Sequence, residues 1–338
     1  MLHSRVHHVT VKDDKVADPE ARNRAEHFLH HPLLRHESAA LSFKAKTSFY
    51  TILSSIHAFL GHDSERYEYT KKLIETWASA PLIYKAYPRF YLAGLELYVS
   101  ACGRMKKWEA WKEGMEKIRR ICSESMAERR LDPETANQIL TSVLVSEAGV
   151  YNGYGAFEKS IPLFPGLEKL LEEPGQGNVN FIPTVYNLSY ACFGNGDYRK
   201  ALSWLNRLVG MQTGIRHDAQ GSARILRMAS LFELRDFERL ESEVLSAYRY
   251  FNRYRRLYPY DKALLDYIRY KLPKIFDPAK INHSLQELKS ALEHILENPE
   301  ERMASPHFDL VAWLESKITG RPFAEIVRKK AQRAGHAP

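Results

Sequence analysis

The chain has 338 residues, 44% hydrophobic and 27% charged, proportions that suit one large or two ordinary globular domains and exclude a disordered chain. Its net charge of +8 permits an acidic partner without requiring one. No apolar run reaches about eighteen residues and residues 1–20 hold no apolar signal core, so the expectation is a cytoplasmic protein with no membrane contact.

Taken in order, residues 1–19 are polar and rich in His and charge, which predicts a flexible N-terminal arm. His27 and His31 follow, one helical turn apart. No Cys or acid stands at matching spacing, so a metal site is not predicted there. From residue 45 onward nearly every segment places apolar residues three and four apart and almost none alternates. Phe49, Ile52, Leu53, Ile56 and Leu60 mark one helical face, ending near Gly61. Tyr91, Leu92, Leu95 and Val99 mark another, ending near Gly103. Helix entries are signposted by a capping residue followed by proline at Asp132-Pro133, Asp277-Pro278 and Ser305-Pro306. The pattern predicts about fourteen or fifteen helices and no strand. Cys102, Cys122 and Cys192 are widely spaced, odd in number and set in apolar helical patterns, which reads as small buried residues and no disulfide.

Residues 182–215 carry the most specific pattern. Val185, Leu188, Ser189 and Cys192 lie in a first helix. Gly196-Asp197-Tyr198 make a turn, and Ala201, Leu205 and Leu208 follow in a second helix. Small residues at 189 and 201 let two antiparallel helices approach closely, and Gly196 permits the turn. In this register the segment resembles the tetratricopeptide repeat. Weaker copies surround it, with Tyr67 or Tyr69, Trp108, Phe157 and Phe237 as the aromatic anchors beside Tyr198, and Tyr67 taken for the spacing. The steps are 41, 49, 41 and 39 residues, against about 34 in the family. The whole also resembles bacterial proteins with degenerate helical repeats, a likeness that implies a fold and no particular activity. The resemblance implies an all-α fold, a right-handed superhelix of stacked antiparallel helix pairs over residues 20–300. Residues 301–338 are then capping helices for the open end of the stack.

Function follows the same line. The resemblance implies that Tyr186, Tyr190 and Phe193 line a concave groove with Asn187 beside them. Rigid aromatics with polar tips would anchor a peptide or protein partner there. The alternative is that these rings pack against the next repeat. The segment 249–274 holds eight Lys and Arg against two acids, with six tyrosines interleaved. Arg249, Arg253, Arg255, Arg256 and Lys262 form its basic surface, and such a stripe can meet nucleic acid. The alternative is a solvated helix face, with Val244, Tyr248, Phe251, Tyr254 and Tyr258 turned inward. No nucleophile elbow, metalloprotease helix, paired catalytic carboxylates or phosphate loop is present. The expectation is a non-catalytic scaffold without a cofactor or metal, binding a protein or peptide, with nucleic acid as the alternative partner.

Overall fold

A computed structural model describes residues 19–172, 181–209, 217–254, 257–274, 278–298, 301–302 and 308–333. Among them every regular element is a helix and none is a strand. None of these helices is long and apolar enough to cross a membrane. The described residues form two compact units, divided between Ser146 and Glu147.

The first unit contains α1 (Pro19–Leu29), α2 (Pro32–Arg35), α3 (Phe43–Leu60), α4 (Asp63–Ala78), α5 (Pro81–Ala86), α6 (Pro88–Arg104) and α7 (Trp108–Ala127). It ends within α8 (Pro133–Gly153), where the second unit begins. The caps are local. The His31 Nδ1 accepts from the Leu33 amide at 3.2 Å, so this ring closes the start of α2. Asp132 Oδ1 accepts from Thr135 N at 2.8 Å ahead of Pro133, as the sequence predicts. Helices α3 and α4 pair, α6 and α7 pair, and α4 packs on α6. Their shared core holds Ile56, Phe59, Leu73, Tyr91 and Leu95, all fully buried.

The second unit continues with α9 (Phe157–Ser160), α10 (Phe164–Glu172), α11 (Phe181–Gly194), α12 (Tyr198–Val209), α13 (His217–Glu233) and α14 (Phe237–Tyr254). Then come α15 (Pro259–Asp266), a π-helical turn at Tyr267–Lys271, α16 (Pro278–Ile295), α17 (Leu310–Thr319) and α18 (Phe323–Arg333). Asp277 and the Ser305-Pro306 pair lie outside the described residues; α17 is entered from Asp309, whose Oδ1 accepts from Ala312 N at 3.0 Å. Helices α11 to α14 pack in sequence, and α16 packs on α17. Helices α17 and α18, in the segment expected to cap the stack, belong to the second unit. Phe308, Leu310 and Leu314 are fully buried, and Phe323 is nearly so.

One turn recurs along the chain. After α11 the Asp197 amide donates to the Cys192 carbonyl and the Gly196 amide to that of Phe193, with Gly196 at φ 81°. This is the helix-ending motif in which a left-handed residue closes two orphaned carbonyls. The same pair of bonds joins Lys107 to Cys102 and Lys106 to Gly103 after α6. It joins Ala156 to Tyr151 and Gly155 to Asn152 after α8, and Asp236 to Leu231 and Arg235 to Phe232 after α13. Lys106 and Arg235 adopt φ of 55° and 56° without being glycine. In four of these places the next helix opens on an aromatic ring: Trp108, Phe157, Tyr198 or Phe237. The turn after α3 differs. Gly61 is left-handed at φ 80°, and α4 opens on Asp63. Tyr67, the expected anchor, sits one turn inside that helix.

Polar groups enter the second unit's core as a cluster. Glu243 is buried and accepts from Arg224 Nη1 at 3.3 Å and from Arg227 Nη1 at 2.5 Å. Arg224 also donates to Ser246 and lies 4.4 Å over the Tyr250 ring. The three thiols are buried and unpaired. Burial pushes Cys102 and Cys122 up to about 11 and Cys192 to about 12, which suppresses the reactive thiolate.

Candidate functional site

The aromatic face expected to line a groove is built from α11. Tyr186 and Tyr190 stand one turn apart with ring centroids 6.1 Å apart, and Phe193 follows on the same side. In the structure this face is covered by the chain itself. Tyr190 meets Phe157 at 5.3 Å, Phe308 at 5.8 Å and Phe323 at 6.2 Å. Phe193 meets Phe308 at 5.2 Å and Phe323 at 5.4 Å. The Asp309 backbone hydrogen-bonds the Tyr190 hydroxyl. Burial raises the hydroxyl pKa of both Tyr186 and Tyr190, so neither gives up its proton at neutral pH. Tyr186 is 6% exposed, Tyr190 5% and Phe193 1%. These rings are core, and the surface they would offer a partner is occupied by the segment after residue 307. Asn187 is half-buried, and its carbonyl accepts from Asn152 Nδ2 at 2.9 Å. The three rings are packed as core, and Asn187 stays half-buried.

Gly194 explains how Phe157 reaches this cluster. A Cβ at 194 would lie 2.2 Å from the Phe157 ring, so only glycine admits the ring there.

The basic stripe does lie on the surface. Arg249, Arg253 and Lys262 are exposed, while Phe251 and Tyr258 point inward. Arg255 and Arg256 fall outside the described residues. The stripe is partly self-neutralised: Lys262 pairs with Asp266, which also accepts from the Tyr248 hydroxyl, and Lys271 lies 3.3 Å from Glu287. Arg269 was missed by the sequence reading as a site residue. Its guanidinium lies 5.7 Å from the Tyr248 ring and 5.0 Å from Tyr270, which is half exposed. It belongs to the π-helical turn, a rare form that recurs at functional sites.

A third surface was not visible in the sequence. On α5 and the start of α6, Leu82 is 83% exposed, Phe90 63% and Tyr87 58%. Lys85 and Arg89 lie among them, also exposed, and no acid stands between Glu75 and Glu96. Arg130 donates to the Lys85 carbonyl and pairs with Glu128, and Arg89 acts on the nearby Asp132, so Lys85 is the cation of this surface with no acid shown beside it among the described residues. Three large apolar side chains this open within nine residues make a patch and not a scatter of single residues. Aromatic and apolar contacts flanked by Lys85 and Arg89 are the chemistry of a protein-binding surface for an acidic partner.

No protein-family model matches the chain, and no curated protein or solved structure matches it either.

Proposed function

We propose that this chain is a non-catalytic interaction protein built of tetratricopeptide-like helix pairs, and that it binds an acidic protein partner through the apolar and cationic surface at residues 82–90. The observation that carries the reading is the exposure of Leu82, Tyr87 and Phe90 between Lys85 and Arg89. The repeated left-handed turn, followed four times by an aromatic ring, supports the repeat assignment. The stacked superhelix and a cytoplasmic setting belong to this same proposal. The binding face differs from the one that the sequence suggests, because Tyr186, Tyr190 and Phe193 are already covered.

A photo-crosslinking residue at position 90 tests the reading in whole cells, with the double variant Leu82→Ser, Tyr87→Ser carrying the same crosslinker as control. The expected outcome is a discrete protein adduct that survives nuclease treatment, and at least tenfold less capture by the folded double variant. Equal capture by that variant would sink the assignment.

A second reading rests on Arg269 between Tyr248 and Tyr270, beside exposed Arg249 and Arg253: a face that stacks on unpaired bases and meets phosphates. It requires affinity for a single-stranded oligonucleotide that falls steeply with salt and is lost in the Arg249→Ser, Arg253→Ser, Arg269→Ser variant. A flat salt response removes it.

A further inference from the structure

In the first unit, α6, α7 and α8 line a cavity of about 210 Å³ that is half open to solvent. Its apolar floor is made by Val99, Met115 and Ile118, all buried. Its polar side is made by two pairs one helical turn apart, Glu96 with Ser100 on α6 and Ser142 with Ser146 on α8. Its volume suffices for a benzene-sized guest, which apolar cavities of about 150 Å³ already admit.

The polar groups are unequal. Ser100 Oγ accepts from Arg66 Nη2 at 2.7 Å, so its acceptor is engaged at the rim. Glu96 is hydrogen-bonded to Ser142 and, among the described residues, pairs with no cation. Burial pushes its carboxyl up to about 7, with the Ser142 bond pulling it only partly back. A buried carboxylate without a counter-charge is costly, and the cost falls when a cation enters beside it. One carboxylate among neutral hydroxyls is a poor set for a divalent metal, which takes more oxygen ligands of higher charge. An ammonium group, with three donors, matches one carboxylate and two hydroxyl oxygens.

We propose that this cavity binds a small organic ammonium ion with a short apolar body, its nitrogen on Glu96 and the Ser142 and Ser146 hydroxyls, its apolar part over Val99, Met115 and Ile118. The site is independent of the protein-binding surface proposed above and uses none of its residues. Bound ammonium holds Glu96 ionised, so binding releases a proton and strengthens as pH rises through the carboxyl's transition. Between pH 5 and pH 8 the ionised share of a group titrating at about 7 rises about a hundredfold, and affinity follows that share.

The test is calorimetric titration of the full chain with benzylamine and n-butylamine at pH 5 and pH 8. Benzyl alcohol is the neutral control, and methyl NMR of Met115 reports the location. The expected result is single-site binding that tightens about a hundredfold with pH, shifts the Met115 methyl, and weakens at least tenfold in Glu96→Gln. Four outcomes would each overturn it: no binding by either amine at pH 8, equal binding by folded Glu96→Gln, heat without a Met115 shift, or benzyl alcohol binding as tightly as benzylamine.

Discussion

Two glutamates are withdrawn among the helices, Glu243 buried and Glu96 half-buried, and they are kept there by opposite means. Glu243 in the second unit lies between Arg224 and Arg227, with Ser246 and the Tyr250 ring completing the shell around Arg224. Glu96 in the first unit has the Ser142 hydroxyl, the neutral Cys122 thiol and a cavity beside it, and no cation among the described residues. A buried carboxyl can avoid its desolvation cost by pairing or by taking a proton. The paired one is a fixed part of the core, because every change of its charge leaves a guanidinium stranded. The protonated one can change state near neutral pH without breaking anything around it.

The sharpest way to break this contrast is to remove the paired group. Glu243→Ala leaves two arginines facing each other in the core, and we expect a loss of about 3–5 kcal/mol in denaturant unfolding. A loss below about 1 kcal/mol would place Glu243 with the ordinary surface pairs.

The next effect is smaller and depends on pH. Glu96 titrates at about 7 when folded, against an ordinary value of 4.5. A raised carboxyl keeps its full contribution below the unfolded value and loses it as pH climbs through the folded one. Native stability should therefore fall by about 2 kcal/mol between pH 5 and pH 8, the partial exposure of the group included. Glu96→Gln should flatten that slope and exceed the native protein in stability at pH 8. A native slope unchanged by the substitution would place the titration elsewhere.

The smallest effect sharpens the picture of Glu96 itself. Ser142→Ala removes its one hydrogen bond, costing about 1 kcal/mol at pH 8 and moving its transition upward, because that bond favours the charged form. Carbonyl-resolved NMR of Glu96 would read the direction of the shift.

Much of the helical architecture was legible because it is written locally. Gly196, Asp197 and Tyr198 mark a turn whose hydrogen bonds are as expected, and Asp132-Pro133 marks a helix start. Lys106 and Arg235 show why the copies looked weak. The carbonyls of the ending helix and the ring that follows impose the left-handed residue, and a non-glycine residue there costs about 1–2 kcal/mol without abolishing the turn. Tyr67 differs from the other four rings: it is the nearest aromatic after Gly61, but the helix begins at Asp63.

The sites were less legible because they depend on distant partners. Tyr186 and Tyr190 share a face in any helical reading, yet Phe308 and Phe323, which cover Tyr190, lie far along the chain. The exposed run at 82–90 reads as an ordinary amphipathic stretch, and only the packing shows that none of the described residues covers Leu82 or Phe90. Glu96 did leave a trace, a single acid inside LAGLELYVS. That trace shows a polar group in an apolar run and says nothing of a cavity.

The cover over Tyr190 and Phe193 also sets an order of events during synthesis. These rings leave the ribosome long before Phe308 and Phe323, and domains made in this direction fold as their contacts become available. Helices α11 to α14 can pair as they emerge, but their aromatic face stays bare until the segment from 308 to 323 has been translated. A nascent chain stalled in that interval carries an oily face on an otherwise folded unit, the form of chain that holding chaperones capture. Release from them would then be timed by the arrival of two phenylalanines.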